Sequence, residues 1–423
     1  MVKLSVSPTA DINYLAKIVH LDTFVPHPDS EVSKLKCCKV DGYTIICSID
    51  SEPGDYVYFP AGCCLNPELL SYANLYRDPT KNLDTSESGM FESNGRVKMI
   101  KLRGCLSEGF ILPLETLNFF VISIINQYID YKINEEFDCL HYGKKDIWFC
   151  KKYVVPHKEC SKVSVTKRPN KVCSGQFRLH YETVNIKKCP DVINSDDIIQ
   201  ISSKVHGKSG ISAYLLCKPV FTLRRKVGQW LYGKKLYEYD YVHASRKVIK
   251  YDHGNDVWGY ADAVIRPHLT KGMSVYYEII GFEPNGNYIQ KNFDYGYTKP
   301  TDSYEYNKNF GIRIYRVTLT DPDGNVYEFS PREVQSWATQ HGLVPVKELY
   351  YGKAGDLYSD NFIDNLAKDK RFFMEEYSPE CVNKVPQEGV VIKIDGKNSQ
   401  AYKLKCFKFF NMSQKDPETN IED

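Results

Sequence analysis

The sequence predicts an α+β chain of two domains. Three observations predict it: the length, a run of short turn-bounded strands through the first 115 or so residues, and an alternation of strands with a few helices after Phe177. At 423 residues the chain exceeds a typical single domain, and its composition, 42% hydrophobic and 26% charged, allows each half its own core. That balance excludes a disordered or fibrous chain. A formal net charge of +2 provides no overall basic field, so any nucleic-acid partner would be held by local clusters of Lys and Arg.

Strand patterns cover Leu15 to His20, Leu35 to Val40, Tyr43 to Ile49, Tyr56 to Phe59 and Val97 to Leu102. Turn signals at Asp41-Gly42, Pro53-Gly54-Asp55 and Asn94-Gly95 separate them, and the spacing suggests a five-stranded OB-type β-barrel over residues 1–116. Residues 117–174 read as a partly basic linker or insert. Its apolar run Phe119 to Ile125 is far short of the roughly 20 residues a membrane span needs, so it is expected to be a core element. Lys151, Lys152, Lys158, Lys162, Lys167, Arg168 and Lys171 crowd around Pro169, where they would track a phosphate backbone or simply form a solvated face.

Residues 175–411 form the second domain, followed by a polar tail, 412–423. One helix is well signalled there: Ser330 as N-cap, Pro331 in the first turn, Glu333 closing a capping box, an apolar face of Val334, Trp337 and Ala338, and Gly342 as stop. The fourteen cysteines include the adjacent pairs Cys37/Cys38 and Cys63/Cys64, a poor disulfide framework, and Met1 leads into no signal segment. Reduced thiols in cytoplasm or nucleus are expected, or in host cytoplasm for a viral chain. Cys150, His157, Cys160 and Cys173 contain no CxxC pair, so they read as ordinary thiols and a histidine rather than a zinc site.

A lysine that attacks phosphorus must lose its proton and sit beside an anion-binding backbone, and a Lys-x-x-Gly turn suits both needs. Several such turns occur, among them Lys39-Val40-Asp41-Gly42, Lys204-Val205-His206-Gly207 and Lys393-Ile394-Asp395-Gly396. Lys204 is followed in order by Ser245-Arg246, Tyr277-Glu278-Ile279-Ile280-Gly281, an aromatic segment at Phe310, Glu388-Gly389-Val390-Val391 and Lys403-Leu404-Lys405. Carboxylates for a metal and cations for an α-phosphate are what in-line displacement requires. Lys403 and Lys405 lie two apart, so a strand would turn both to one face.

This order resembles the RNA ligase branch of the covalent nucleotidyltransferases. Lys204 to Gly207 looks like motif I, Tyr277 to Gly281 like motif III, Glu388 to Val391 like motif IV and Lys403 to Lys405 like motif V. Gly175-Gln176-Phe177-Arg178, His180-Tyr181-Glu182-Thr183, Ile289-Gln290-Lys291 and Tyr295-Gly296 extend the likeness. Upstream, Arg96 to Gly104 and Ser107-Glu108-Gly109 look like the OB module of the RNA ligase 5 group. The resemblance implies an OB module followed by a nucleotidyltransferase (ATP-grasp-like ligase) domain of antiparallel sheets with helices.

The same resemblance implies ATP as substrate, AMP carried covalently on Lys204, and Lys403 and Lys405 on the α-phosphate. It places His206, Gly207, Arg246, Glu278, Phe310, Glu388 and Arg178 at the nucleotide, with Phe310 stacked on adenine and Arg246 on the acceptor's 5′-phosphate. Glu278 and Glu388 would hold Mg2+ or Mn2+. The implied partner is RNA with 5′-phosphate and 3′-hydroxyl ends, in a nicked duplex or free, acted on by a monomer away from membranes. Ser203 departs from the acidic residue such ligases often carry, Lys208-Ser209 from Thr-Ser or Thr-Asn, and His206 from the Asp of metal-holding relatives. The rival readings are a DNA ligase or an mRNA guanylyltransferase, both of which place an OB domain after motif V, and a degenerate RNA-binding relative.

Overall fold

The computed structural model describes residues 1–29, 31–143, 145–154, 171–180, 183–218, 237–250, 255–373, 377–396 and 400–413. Lys158, Lys162, Lys167 and Arg168 of the basic stretch lie outside these, as do His157, Cys160, Tyr181, Glu182 and the end of the polar tail. The chain divides into two compact units, one of Met1–Val155 with Val184–Val192 and one of Pro156–Thr183 with Ile193–Asp423. Among the described residues no helix is long and apolar enough to cross a membrane, and the cysteines are free thiols.

In the first unit the early strands fall close to where the patterning puts them: β1 (Ala16–Leu21), β2 (Leu35–Val40), β3 (Tyr43–Ser48) and β4 (Gly54–Pro60). The β2–β3 hairpin closes at Asp41, whose φ of 49° is the left-handed conformation the Asp-Gly pair favours. The expected strand from Val97 shrinks to β5 (Ile100–Leu102), paired with β6 (Cys105–Ser107), while β7 (Gly109–Pro113) adds to β4. Lys98 therefore precedes the strand and pairs with Glu92 at 2.5 Å, and Lys101 is exposed. The hydrogen-bonded strands form several small sheets, not one five-stranded ladder.

The stretch from 117, expected as a linker, belongs largely to this unit. Helix α1 (Leu114–Ile125) buries Leu117, Phe120 and Val121 while Phe119 stays 48% exposed, so the apolar run is only in part a core element. Its buried face shares a core with Phe137, Phe149 and Cys150. The strands that follow, such as Cys139–Tyr142 and Cys150–Lys152, are too short to announce themselves by alternation.

Residues 184–192 return to this unit and are fastened there. Lys187 Nζ lies 2.6 Å from both carboxylate oxygens of Glu108, and the two side chains are 8% and 6% exposed. Gly42 N donates to the Lys187 carbonyl at 2.8 Å, and Asn185 N to Asn13 Oδ1 at 2.8 Å. Glu108 of the Ser107-Glu108-Gly109 segment thus anchors the returning chain. Lys187→Ala would leave a buried carboxylate without its cation and is expected to cost about 3–5 kcal/mol in denaturant unfolding. Pairing it with Glu108→Leu should recover much of that loss, and an unchanged single variant would mean that the pair contributes little.

The second unit is built on two antiparallel sheets. One runs in the order β15 (Ala401–Lys405), β14 (Gly389–Ile394), β8 (Ile198–Ser203), β13 (Glu348–Lys353). The other centres on β10 (Glu238–Ser245), β9 (Lys208–Cys217), β11 (Met273–Gly281) and β12 (Phe310–Thr320). Helix α2 (Pro331–Gln340) carries the expected box, with Glu333 N donating to Ser330 Oγ at 3.3 Å and Ser330 N to Glu333 Oε2 at 2.7 Å. Its Val334, Trp337 and Ala338 join the core behind β11 and β12.

Candidate active site

Strand β8 lies in one sheet and β9 in the other, and only four residues, Lys204 to Gly207, connect them. That crossing brings the two sheets together and sets the candidate nucleophile at their junction. Lys204 N donates to the Gly389 carbonyl at 3.0 Å, tying the turn to the start of β14. Val205 is buried with Ile280 and Val346. The Tyr295 hydroxyl accepts from His206 N at 3.1 Å and donates to His206 O at 2.8 Å, and Gln290 Nε2 donates to Gly207 O at 2.7 Å. Gly207 itself is pressed on β11: a Cβ there would meet the Ile279 carbonyl oxygen at 2.3 Å and Glu278 Cγ at 2.8 Å.

The cavity between the sheets is lined by Lys204, His206, Gly207, Arg246, Glu278, Glu388, Lys403 and Lys405, eight of the ten residues singled out from the sequence. Lys204 Nζ lies 2.7 Å from Glu388 Oε1 and Lys405 Nζ 3.6 Å from the same oxygen. On β15, Lys403 and Lys405 face the cavity while Tyr402 and Leu404 are buried behind them. Glu388 is 5% exposed. Burial opposes its ionisation, but Lys204, His206 and Lys405 together hold its carboxyl well below the usual carboxylate range. Gly389, at φ 144°, lets β14 begin there, since a Cβ would lie 2.1 Å from the Leu404 carbonyl oxygen.

Glu278 on β11 behaves oppositely. Burial pushes its carboxyl up to about 7, and Glu388 adds to the rise against the opposing pull of Lys204, Ser209 and Arg246. Its oxygens accept from Gly207 N at 3.2 Å and Ser209 Oγ at 3.0 Å. Ser209 thus orients Glu278, while Lys208 is drawn to Glu283 at 2.5 Å. His206 places Nδ1 3.6 Å from Glu388 Oε2, and its ring packs edge-on against Phe293 and Phe409 at 4.7 and 4.9 Å. Among the described residues no cluster of three or more His, Cys, Asp or Glu is arranged to hold a metal.

Two sequence-chosen residues do not line the cavity. Phe310 is 1% exposed and stacks on Tyr304 at 4.8 Å inside the core, away from the cavity lining. Arg178 is exposed, and its carbonyl, not its guanidinium, accepts the Tyr276 hydroxyl at 2.9 Å. The aromatic that does line the cavity from β12 is Tyr315, 5.7 Å from the His180 ring. The register shift between Tyr276 and Tyr277 leaves Tyr315 as the extra, unopposed residue of a bulge, which re-aims it. Lys393, one of the two lysines set aside, also lines the cavity; Lys39 is exposed on β2.

The fold is therefore a mixed α+β one of two units, with the cavity between the sheets of the second. No family model matches the chain, and no curated protein matches it. Solved structures of Naegleria gruberi RNA ligase share its fold. A point mutant with ATP and Mn aligns at a TM-score of 0.58 and 17% identity over 95% of this chain and 100% of that one. The complex with PPi aligns at 0.57 and 15% over 96% and 100%, and a mutant with AMP and Mn at 0.56 and 17% over 95% and 98%.

Two outcomes follow from the geometry. Gly207→Ala should lose about 1–3 kcal/mol in denaturant unfolding, because backbone must move to admit the methyl group; full stability would show that the turn has room. In metal-free, nucleotide-free protein the raised carboxyl of Glu278 is best accommodated protonated, so its contribution to stability falls as pH rises from about 5 to 8. Melting temperatures of Glu278→Gln should gain on wild type by a few degrees across that window. A constant difference between the two would contradict the proton-holding carboxyl.

Proposed function

We propose that this chain is an ATP-dependent RNA ligase that carries AMP on Lys204, passes it to an RNA 5′-phosphate and joins that end to a 3′-hydroxyl. The observation that carries the reading is the convergence of Lys204 and Lys405 on the buried Glu388, beside Lys403 and Glu278, in one cavity. Support also comes from the shared fold of an RNA ligase that was solved with ATP, with AMP and with PPi.

In the first step the Lys204 nitrogen bonds to the α-phosphorus, the bond from that phosphorus to the bridging oxygen breaks, and pyrophosphate leaves with the electron pair. Attack requires the neutral amine, so a proton must leave Lys204 and its pairing with Glu388 must open. Lys403 and Lys405 offset the charge that builds on the phosphoryl oxygens. An RNA 5′-phosphate then displaces Lys204 from AMP, and a 3′-hydroxyl displaces AMP from the phosphate. Arg246, which follows β10 and lines the cavity, is assigned the incoming 5′-phosphate.

A divalent cation, Mg2+ or Mn2+, fits Glu278 and Glu388. One is a carboxyl whose ionisation burial suppresses, and the other has an oxygen, Oε2, with no hydrogen-bond partner among the described residues. When bound it supplies positive charge against the triphosphate. The small sheets of the first unit, with Lys98 and Lys101 on their surface, are assigned to an OB-type module that seats RNA.

Incubation with α-labelled ATP and either cation is expected to label wild-type protein and to leave Lys204→Ala unlabelled. Label on the variant would move the nucleophile elsewhere, and preference for GTP would turn the reading towards a guanylyltransferase. Sealing should then require RNA at the nick. Equal sealing of all-DNA nicks would make the chain a DNA ligase.

A further inference from the structure

Three thiols of the first unit stand on the β2–β3 hairpin, and a fourth comes up against it from β6. Cys37 and Cys38 are neighbours on β2, so their side chains point to opposite faces. Cys47 on β3 is paired with Lys36, which puts it on the face of Cys38 as a diagonal neighbour. On the other face the Cys37 sulfur lies 3.9 Å from the sulfur of Cys105, 68 positions away in sequence. The four sulfurs thus form two pairs on opposite faces and do not converge on one metal ion, in keeping with the absence of a metal-holding cluster among the described residues.

Distance decides which pair can close. Cys38 and Cys47 touch as thiols, Cys38 hydrogen-bonding to Cys47. Diagonal neighbours in a ladder are nevertheless about 7–8 Å apart, beyond the Cα separation of roughly 6.8 Å that a disulfide spans without backbone movement. Cys37 and Cys105 belong to different sheets, and their sulfurs need only close from 3.9 Å to a bond of about 2 Å. The tip of the β5–β6 hairpin has room for that move. Arg103 and Gly104 turn there with φ of 43° and 85°, and the space around Gly104 is open. Arg103, 61% exposed, meets Glu31 at 3.2 Å, a surface ion pair that holds the tip weakly.

We propose that Cys37 and Cys105 are a redox latch, a disulfide that forms on exposure to a low-molecular-weight disulfide, RSSR, and fastens the β5–β6 hairpin to β2. Cys105 is half-buried and Cys37 4% exposed, so the reagent meets Cys105 first. The Cys105 thiolate attacks one sulfur of RSSR, a mixed disulfide forms and RS− leaves. The Cys37 sulfur then attacks that of Cys105, the second RS− leaves, and the protons given up by the two cysteines end on the two RS−. Two protein thiols lose two electrons and RSSR gains them. Burial, with Cys105 beside it, pushes the Cys37 thiol up to about 12, so closure is the slow step near neutrality and quickens as pH rises. In a reducing compartment the latch stays open, and it closes when RSSR accumulates. The proposal stands apart from the nucleotidyl-transfer reading.

The test incubates the full chain with oxidised glutathione, blocks the remaining thiols and digests without reduction. A peptide carrying Cys37 and Cys38 is expected to be joined to one carrying Cys105. Because Cys38 adjoins Cys37, the link must survive Cys38→Ser and Cys47→Ser and disappear in Cys105→Ser. Its formation should quicken by as much as about 10-fold per pH unit between about pH 7 and 9. In the closed form, amide exchange across Ile100–Ser107 should slow by about 10-fold or more and recover on reduction. Cys105→Ser, at a half-buried position, should show wild-type exchange when reduced and no slowing with the oxidant. A link made through Cys38 or Cys47, a glutathione adduct on Cys105 that never closes, a closure rate indifferent to pH, or a closed form with unchanged exchange overturns the proposal.

Discussion

A carboxylate that is 5% exposed persists as an anion only where cations surround it, and in this protein the cations around Glu388 are the site. Lys204 and Lys405 share one of its oxygens and His206 approaches the other. They come from two elements: Lys204 and His206 from the turn after β8, and Lys405 from the end of β15. Glu388 therefore couples strand order to chemistry. If β14 were displaced from β8 by one residue, every side chain on it would change face and Glu388 would leave Lys204. The bond from Lys204 N to the Gly389 carbonyl pins that register at the point where it matters.

The two carboxylates of the cavity illustrate how environment divides identical groups. Glu388 is buried and Glu278 partly so, but Glu388 has two lysines within 4 Å, whereas Glu278 has backbone and hydroxyl donors from Gly207 and Ser209. The first is held ionised and the second is pushed up to about 7. Environment alone thus holds one carboxyl as an anion and favours the proton on the other.

Much of the fold was legible where local chemistry and tertiary packing agree. The capping box at Ser330 and Glu333, the Asp41-Gly42 hairpin and the strands through Phe59 are set by short-range rules, and packing leaves them in place. What was illegible depends on long-range pairing. Nothing local marks Tyr315 as the bulged residue of β12, because the register shift is a property of its alignment with β11. Phe310, five residues earlier in the same strand, carries the same aromatic signal and is ordinary core. The first unit's extent was hidden for a similar reason: residues 184–192 belong to it through a buried Lys187–Glu108 pair that spans 79 positions of sequence.

The Lys-x-x-Gly turns at Lys39, Lys204 and Lys393 make the same point about function. Locally they are near equivalents, and Lys39 and Lys393 carry an Asp where Lys204 has His206. Lys39 ends a hairpin strand within a single sheet, so its side chain meets solvent. Lys393 closes a strand that lies in the same sheet as its neighbours, and its side chain reaches across to the other. Only the turn after Lys204 is itself the passage between sheets, and there the glycine is required not by its φ but by the 2.3 Å approach of the Ile279 carbonyl oxygen. The motif thus acquires its meaning from where the backbone must cross, and the residue at its third position needs only to fit that crossing. His206, wedged between Phe293 and Phe409 with both its backbone groups on Tyr295, does so as a packed ring beside Glu388.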